Sequence, residues 1–307
     1  MIRPMRLAPA GAGAPLTLWR YIFRVSSARQ ALLGALALGA SLLSLAPLEL
    51  QRRMVDDAIL PGDADLLWRL AALYAAAMLG VALLKFVLKT AQGWLAESVV
   101  LRARRNLLGI DRARGAQGGG GEAVSVLGAE LDKLGGFIGG APSHAVANLT
   151  VLAGVLGYML YAKPELAWIS LMLLLPNLLV APLVQRRLNA LTHTQLTTLR
   201  GFGEAVTDGA GVAVTDRATA ALYGNRMMFH FWKNILKSLL GLLTTAAPLA
   251  ALTVGGLLVL RGESTAGTIV AFLSGFQRIA GPMKDLIAFY RDQAQASVRY
   301  DLVRTWM

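Results

Sequence analysis

Cysteine is absent from this chain, which excludes disulfides and thiolate metal sites. Histidine is scarce: His144, His193 and His230 lie far apart and read as polar helix residues rather than as a metal-ligand set. Charge is scarce too. Asp, Glu, Lys and Arg make up 16% of the residues, against about 25% in soluble domains. A phosphate-cradling loop is also missing. Such a loop needs Gly, four residues, then Gly-Lys-Ser/Thr, so that backbone N–H groups and a lysine surround the phosphates. Gly118-Gly119-Gly120-Gly121-Glu122 has the glycines without the lysine, and Gly135-Gly136-Phe137-Ile138-Gly139-Gly140 fails in the same way.

What remains is apolar. Hydrophobic residues make up 55% of the 307 and mean hydropathy is +0.54, the composition of an integral membrane protein. The net charge of +12 sits beside apolar spans, not among aromatics on a polar surface. That placement fits cytoplasmic loops against anionic lipid headgroups and argues against nucleic acid. Arg3 and Arg6 are followed by no short apolar core with a small-residue cleavage site, so the N-terminus does not read as a removable signal.

Crossing a ~30 Å hydrocarbon core takes roughly 20 apolar residues. Six stretches qualify: 31–50, 66–88, 144–161, 166–184, 239–260 and 268–290. Spans three and four are joined only by Ala162-Lys163-Pro164-Glu165, with Pro164 suited to the first turn of a helix. The connections after spans two and four, about 89–142 and 185–236, are long and helical in pattern, as the periodic run 89–114 shows. The short connections hold only Arg52, Arg53, Lys163 and Arg261 of the thirty Lys and Arg. The positive-inside rule therefore predicts cytoplasmic termini and long loops, with Asp56, Asp57, Asp63 and Asp65 outside. Leu16, Trp19 and Phe23 recur at helical spacing opposite Arg20 and Arg24, predicting an interfacial amphipathic helix over about 15–25. Residues 1–14, rich in Ala, Gly and Pro towards their end, read as a disordered basic tail.

Several stretches carry a resemblance. Pro47-Leu48-Glu49-Leu50 precedes Met54-Val55-Asp56-Asp57-Ala58-Ile59; Leu101-Arg102-Ala103-Arg104-Arg105-Asn106-Leu107-Leu108 is a basic helical run. Gly121-Glu122-Ala123-Val124-Ser125 is followed by Glu130-Leu131-Asp132, and Arg261 to Leu273 by Gly281-Pro282-Met283. In order and spacing these resemble the transmembrane domain of ATP-binding-cassette exporters, over about residues 16–305. The resemblance implies an all-α membrane protein of six transmembrane helices with long cytoplasmic helical extensions, the exporter or type IV arrangement, as one domain over 15–307. The run usual after the family's second coupling helix is matched here only by Ala221-Leu222-Tyr223-Gly224, with extra residues around 209–216.

In such proteins short cytoplasmic helices seat on an ATPase. Val124, Leu127, Leu131 and Leu134 form an apolar stripe flanked by Glu122, Glu130, Asp132 and Lys133. This is the candidate coupling surface; the bland alternative is a loop helix packing on its own neighbours. Gly118–Gly121 would permit the sharp turn into it. Asp216 and Arg217 are the matching candidates in the second loop. For substrate, Arg278 stands near the middle of span six, where a charge costs about 2.5–3.5 kcal/mol on insertion scales. It reads either as a cationic cavity wall, with Lys284 and Asp285 further along the helix, or as half of a structural ion pair. Lys85, Lys89 and Gln92 form an i, i+4, i+7 polar stripe, or else the two lysines snorkel to inner headgroups. Glu49 beside Arg52 and Arg53 reads as an outer salt bridge.

The expected function is the permease subunit of an exporter working by alternating access. The chain would do no covalent chemistry itself. ATP and Mg would be bound by a partner or missing nucleotide-binding domain. Six helices cannot enclose a pathway and seat two motors, so a dimer with itself or a paralogue is implied, in a bacterial inner (plasma) membrane. The alternative is an ATPase-free sensing or assembly module that keeps the fold. A secondary transporter would show inverted repeats and buried acids, and an intramembrane enzyme a nucleophile–base or metal constellation; neither pattern is found in the sequence.

Overall fold

The computed structural model describes residues 4–5, 17–114, 130–207 and 211–304, with the side chains of 107–114 and of scattered positions beyond 168 left undescribed. Helices α1 (Leu18–Leu43), α2 (Ala46–Arg53), α3 (Ala64–Arg114), α4 (Leu131–Ala162), α5 (Pro164–Thr207), α6 (Val212–Leu260) and α7 (Ala266–Arg304) account for nearly all of it, with no strand among the described residues. Among the described residues, three segments, 18–59, 64–106 and 131–162, are long and apolar enough to cross a membrane, and Pro248–Leu260 is a shorter apolar helix.

The chain forms two compact units. One comprises residues 1–158 and 266–307, the other 159–265. In the first, α1 is broken at Ser26, whose φ of −142° leaves the helical region and whose Oγ donates to the Ile22 carbonyl. The segment before the break is not a free interfacial helix on all sides: Tyr21, Ile22 and Val25 are buried with Leu95 and Val99 of α3, Ile138 of α4 and Tyr300 of α7. This cluster is the core of the unit. Met5, in the tail expected to be disordered, packs against the same core and its backbone N–H donates to Ser98 Oγ at 2.9 Å.

The first predicted span is not one continuous helix. Pro47 lies in the first turn of α2 and a turn at Ser44–Leu45 separates α1 from α2, because proline has no N–H to continue the ladder. The expected short connection after that span is largely helical, running through α2 into a π-helical turn over Met54–Ile59. Gly62, with φ +80°, then reverses the chain, and Asp63 Oδ1 accepts from the Leu66 N–H to cap α3. Outward-pointing Leu79, Leu83 and Phe86 are more than 60% exposed on α3. A helix that keeps large apolar groups on its outer surface suits lipid.

In the second unit α5 starts at Pro164, as its position predicts, and pairs with α6. Asn225 Nδ2 donates to the Leu191 carbonyl at 2.9 Å across the pair. Large side chains such as Trp168, Met172 and Leu242 remain exposed.

Candidate functional site

An open groove of about 930 Å³ runs along α3, α4 and α7 in the first unit. Its position follows from how closely α4 meets α3. Gly135 and Gly139 face α3: a Cβ on Gly139 would lie 2.6 Å from the Gln92 carbonyl oxygen and 2.8 Å from Ala96 N, and one on Gly135 would strike Val100. Gly136 turns the other way, where a Cβ would meet nothing within 4 Å, and Gly140 would touch only the His144 ring. Each glycine pair thus has one member that lets two helices touch and one that lines the groove. Gly93 of α3 likewise lines it with open space above.

The charges on the groove walls are segregated. The α3/α4 side contributes Lys89 and Lys133, with Gln92, His144 and Asn148; the α7 side contributes Asp285 and Asp292, with Gln295 and Arg299. Arg299 is neutralised by Glu130, Nε to Oε2 at 2.7 Å, and Asp292 makes only an exposed 3.4 Å contact with Arg291. Lys89, Lys133 and Asp285 have no ion pair within 4 Å among the described residues. Lys89 Nζ stands 3.3 Å from His144 Nε2. An ammonium only donates, so this contact is a hydrogen bond when Nε2 carries no proton. Gln92 is buried and its Nε2 donates to Ser143 Oγ at 2.7 Å, which fixes α3 to α4 beside the polar end. Between the charged ends Phe137 and Phe289 stack with centroids 6.1 Å apart, and Trp19 packs on both.

Of the candidates for a substrate cavity, the structure brings together Lys89, Gln92 and Asp285. Lys85 and Lys284 are exposed and do not line the groove. Arg278 does not line the groove and makes no ion pair among the described residues. Its guanidinium donates to the Ser44 carbonyl at 2.6 Å. The Leu48 N–H, which would reach that oxygen in an unbroken helix, bonds to the Leu45 carbonyl instead. Arg278 supplies the donor that the helix break removed.

Of the coupling candidates, Glu122, Val124 and Leu127 lie outside the described residues. Leu131 and Leu134 are buried in the core, so at these two positions the stripe packs inward. Asp132 pairs with Arg104 at 2.7 Å and Glu130 with Arg299, tying the start of α4 to α3 and to α7. Asp216 and Arg217 are exposed near the start of α6.

A second polar cluster closes on itself. Glu49 Oε1 accepts from Arg52 and from Arg53, each at 2.7 Å, and Glu49 Oε2 accepts from Arg52 Nε at 2.9 Å and from the Tyr158 hydroxyl at 3.0 Å. Arg52 also reaches Asp56 at 3.5 Å, and Asp56 Oδ1 accepts from the Gly267 N–H at 2.8 Å. The Glu49–arginine bridge was readable from i, i+3 and i, i+4 spacing. Tyr158 and Gly267 were not, because they arrive from α4 and α7. His144 was missed for the same reason: nothing local pairs it with a lysine 55 positions earlier.

The family model described as ABC transporter transmembrane region matches residues 35–208, more than half of the chain. No curated protein matches it.

Proposed function

The chain belongs to the ABC transporter transmembrane region family, and from that premise we propose that it is the permease subunit of an exporter driven by ATP hydrolysis in a nucleotide-binding partner. The observation that supports a transport role is the groove itself: a cleft of about 930 Å³ between α3, α4 and α7, lined by charges of both signs of which Lys89, Lys133 and Asp285 have no ion pair among the described residues. These side chains are exposed and so open to a ligand entering the cleft. Lys89 lies about 37 Å along α3 from Ala64, and Asp285 about 28 Å along α7 from Ala266, at 1.5 Å per residue. With both helices starting at the outer face, the groove opens at the inner boundary of the ~30 Å core and continues into the cytoplasmic extensions.

The ion pairs Arg104–Asp132 and Arg299–Glu130 bind the extensions of α3, α4 and α7 into one body. A push on the loop between α3 and α4 would move these three helices together, which is what rigid-body alternating access requires. ATP and Mg belong to the partner in this reading. Two copies, or a copy and a paralogue, would assemble twelve spans in a bacterial inner membrane with both termini cytoplasmic.

Two measurements test it. Thiol labelling of intact cells is clean, because the native chain has no cysteine: Asp65→Cys should react with an impermeant reagent from outside and Asp216→Cys should not. The complex extracted gently from native membranes should hydrolyse MgATP, and the chain freed of its partner should not. A native complex without any ATP-binding subunit overturns the exporter reading in favour of a sensing or assembly module.

A further inference from the structure

We propose that the groove on α3, α4 and α7 binds a zwitterionic amphiphile: an apolar body whose head carries one anionic and one cationic group. The inference rests on reading this groove as the substrate path. Three observations carry it. The cations Lys89 and Lys133, without an ion pair among the described residues, stand on the α3/α4 wall and the acids Asp285 and Asp292 on the α7 wall, so opposite walls have opposite sign. A ligand with a single charge is attracted by one wall and repelled by the other, and a ligand bearing both signs satisfies each. Between the charged ends the surface is apolar, made by the Phe137–Phe289 stack and small residues.

The glycines supply the third observation. Gly135 and Gly139 are accounted for by helix contact, and Gly136 and Gly93 are not, since a side chain there would collide with nothing in the protein. Their lack of a side chain leaves the groove floor low. Gly136 sits one helical turn from Lys133 and next to Phe137, where an apolar body lying between the charged ends would press against the backbone.

The test uses the full chain in nanodiscs of phosphatidylglycerol, with three soluble probes below their micellar concentrations. These are dihexanoyl-phosphatidylcholine (zwitterion), dihexanoyl-phosphatidic acid (anion) and hexyltrimethylammonium (cation), read by equilibrium dialysis. The phosphatidylcholine should bind at least tenfold more tightly than either singly charged probe. Free phosphocholine and glycylglycine, which lack the apolar body, should bind at least tenfold more weakly than the phosphatidylcholine; binding at similar strength overturns the proposal of an amphiphile. Gly136→Leu and Gly93→Leu should each weaken phosphatidylcholine binding at least tenfold with the unfolding temperature of the unliganded protein unchanged. Lys89→Glu or Asp285→Lys alone should weaken it tenfold, and the two together should restore it. Equal affinity for the three charged probes, or undiminished binding by both leucine variants, overturns the proposal. Binding is read without ATP, partner or transport, so its failure leaves the permease reading standing, and loss of the permease reading leaves the binding result intact.

Discussion

Two charged clusters in the same unit have opposite constitutions. Around Glu49, every formal charge within reach has a counter-charge or a hydrogen-bond partner: one carboxylate takes two arginines and a tyrosine, and Asp56 takes Arg52 and a backbone N–H. In the groove, Lys89, Lys133 and Asp285 have no ion pair among the described residues. A cluster that satisfies itself holds helices together and has nothing left for a ligand. A cluster that keeps exposed cations on one wall and exposed anions on the other holds no helices together and leaves its charges open to a ligand. Substitution should therefore harm stability at the first and spare it at the second.

The sharpest way to break the comparison is at the helix contact beneath the groove. Gly139→Val places carbons where the Gln92 carbonyl and the Ala96 backbone already sit. Backbone cannot rotate aside as a side-chain end can, so α3 and α4 must separate, costing about 3 kcal/mol or more. Gly136→Ala, on the opposite face, should be nearly silent. Thermal unfolding in detergent compares the two; equal effects would mean that α4 does not present these two faces.

Next in size is Glu49→Gln. It removes the charge that organises Arg52, Arg53 and the Tyr158 hydroxyl and leaves two guanidiniums facing each other. The carboxylate is about one-third exposed, so water recovers part of the loss and the expected cost is about 2 kcal/mol. Tyr158→Phe, which deletes one hydrogen bond, should cost about 1 kcal/mol. If Tyr158→Phe matches or exceeds Glu49→Gln, the cluster is held by packing on α4 and not by the carboxylate.

The same contrast shows what was legible in the sequence. Helix type and the long extensions followed from apolar runs and local periodicity, and the Glu49–arginine bridge followed from spacing along one helix. The break at Ser44–Leu45 was also local, signalled by Pro47, yet the length of the apolar run masked it. What could not be read was everything assembled across helices. Arg278 was open to two readings from its depth in an apolar run, and the structure gives a third, because its partner is a carbonyl 234 positions earlier. Leu131 and Leu134 carry the periodicity of an amphipathic face, but periodicity does not say whether the face meets a partner or the chain's own core. The glycine pairs at 135–140 are the clearest case: composition marks them, and only the neighbouring helix says which glycine is for contact and which lines open space.

Arg278→Met tests that third reading directly. It keeps an unbranched apolar stem and removes the donor, stranding the Ser44 carbonyl at the helix break; stability should fall by about 1–2 kcal/mol. An arginine facing a water-filled cavity would give the opposite sign, since losing a charge at mid-membrane relieves its insertion cost.

The smallest effects should come from the groove itself. Lys89→Gln and Asp285→Asn remove charges that no ion pair within the described residues balances, so each should change unfolding by no more than about 0.5 kcal/mol. Lys89 does touch His144 at 3.3 Å, a contact the shorter glutamine loses in part, but both groups are open to water, which replaces it. Asp285→Asn is the cleaner variant, with no ion pair to lose. The double variant is the sharpening step. Without a shared partner the two effects add; if Lys89 and Asp285 neutralise each other across the groove in the empty protein, each single change costs more and the pair costs less than the sum. Additive, near-zero values in detergent, beside the losses expected at Glu49 and Gly139, would show that the groove charges do not hold the helices together and are open to a ligand.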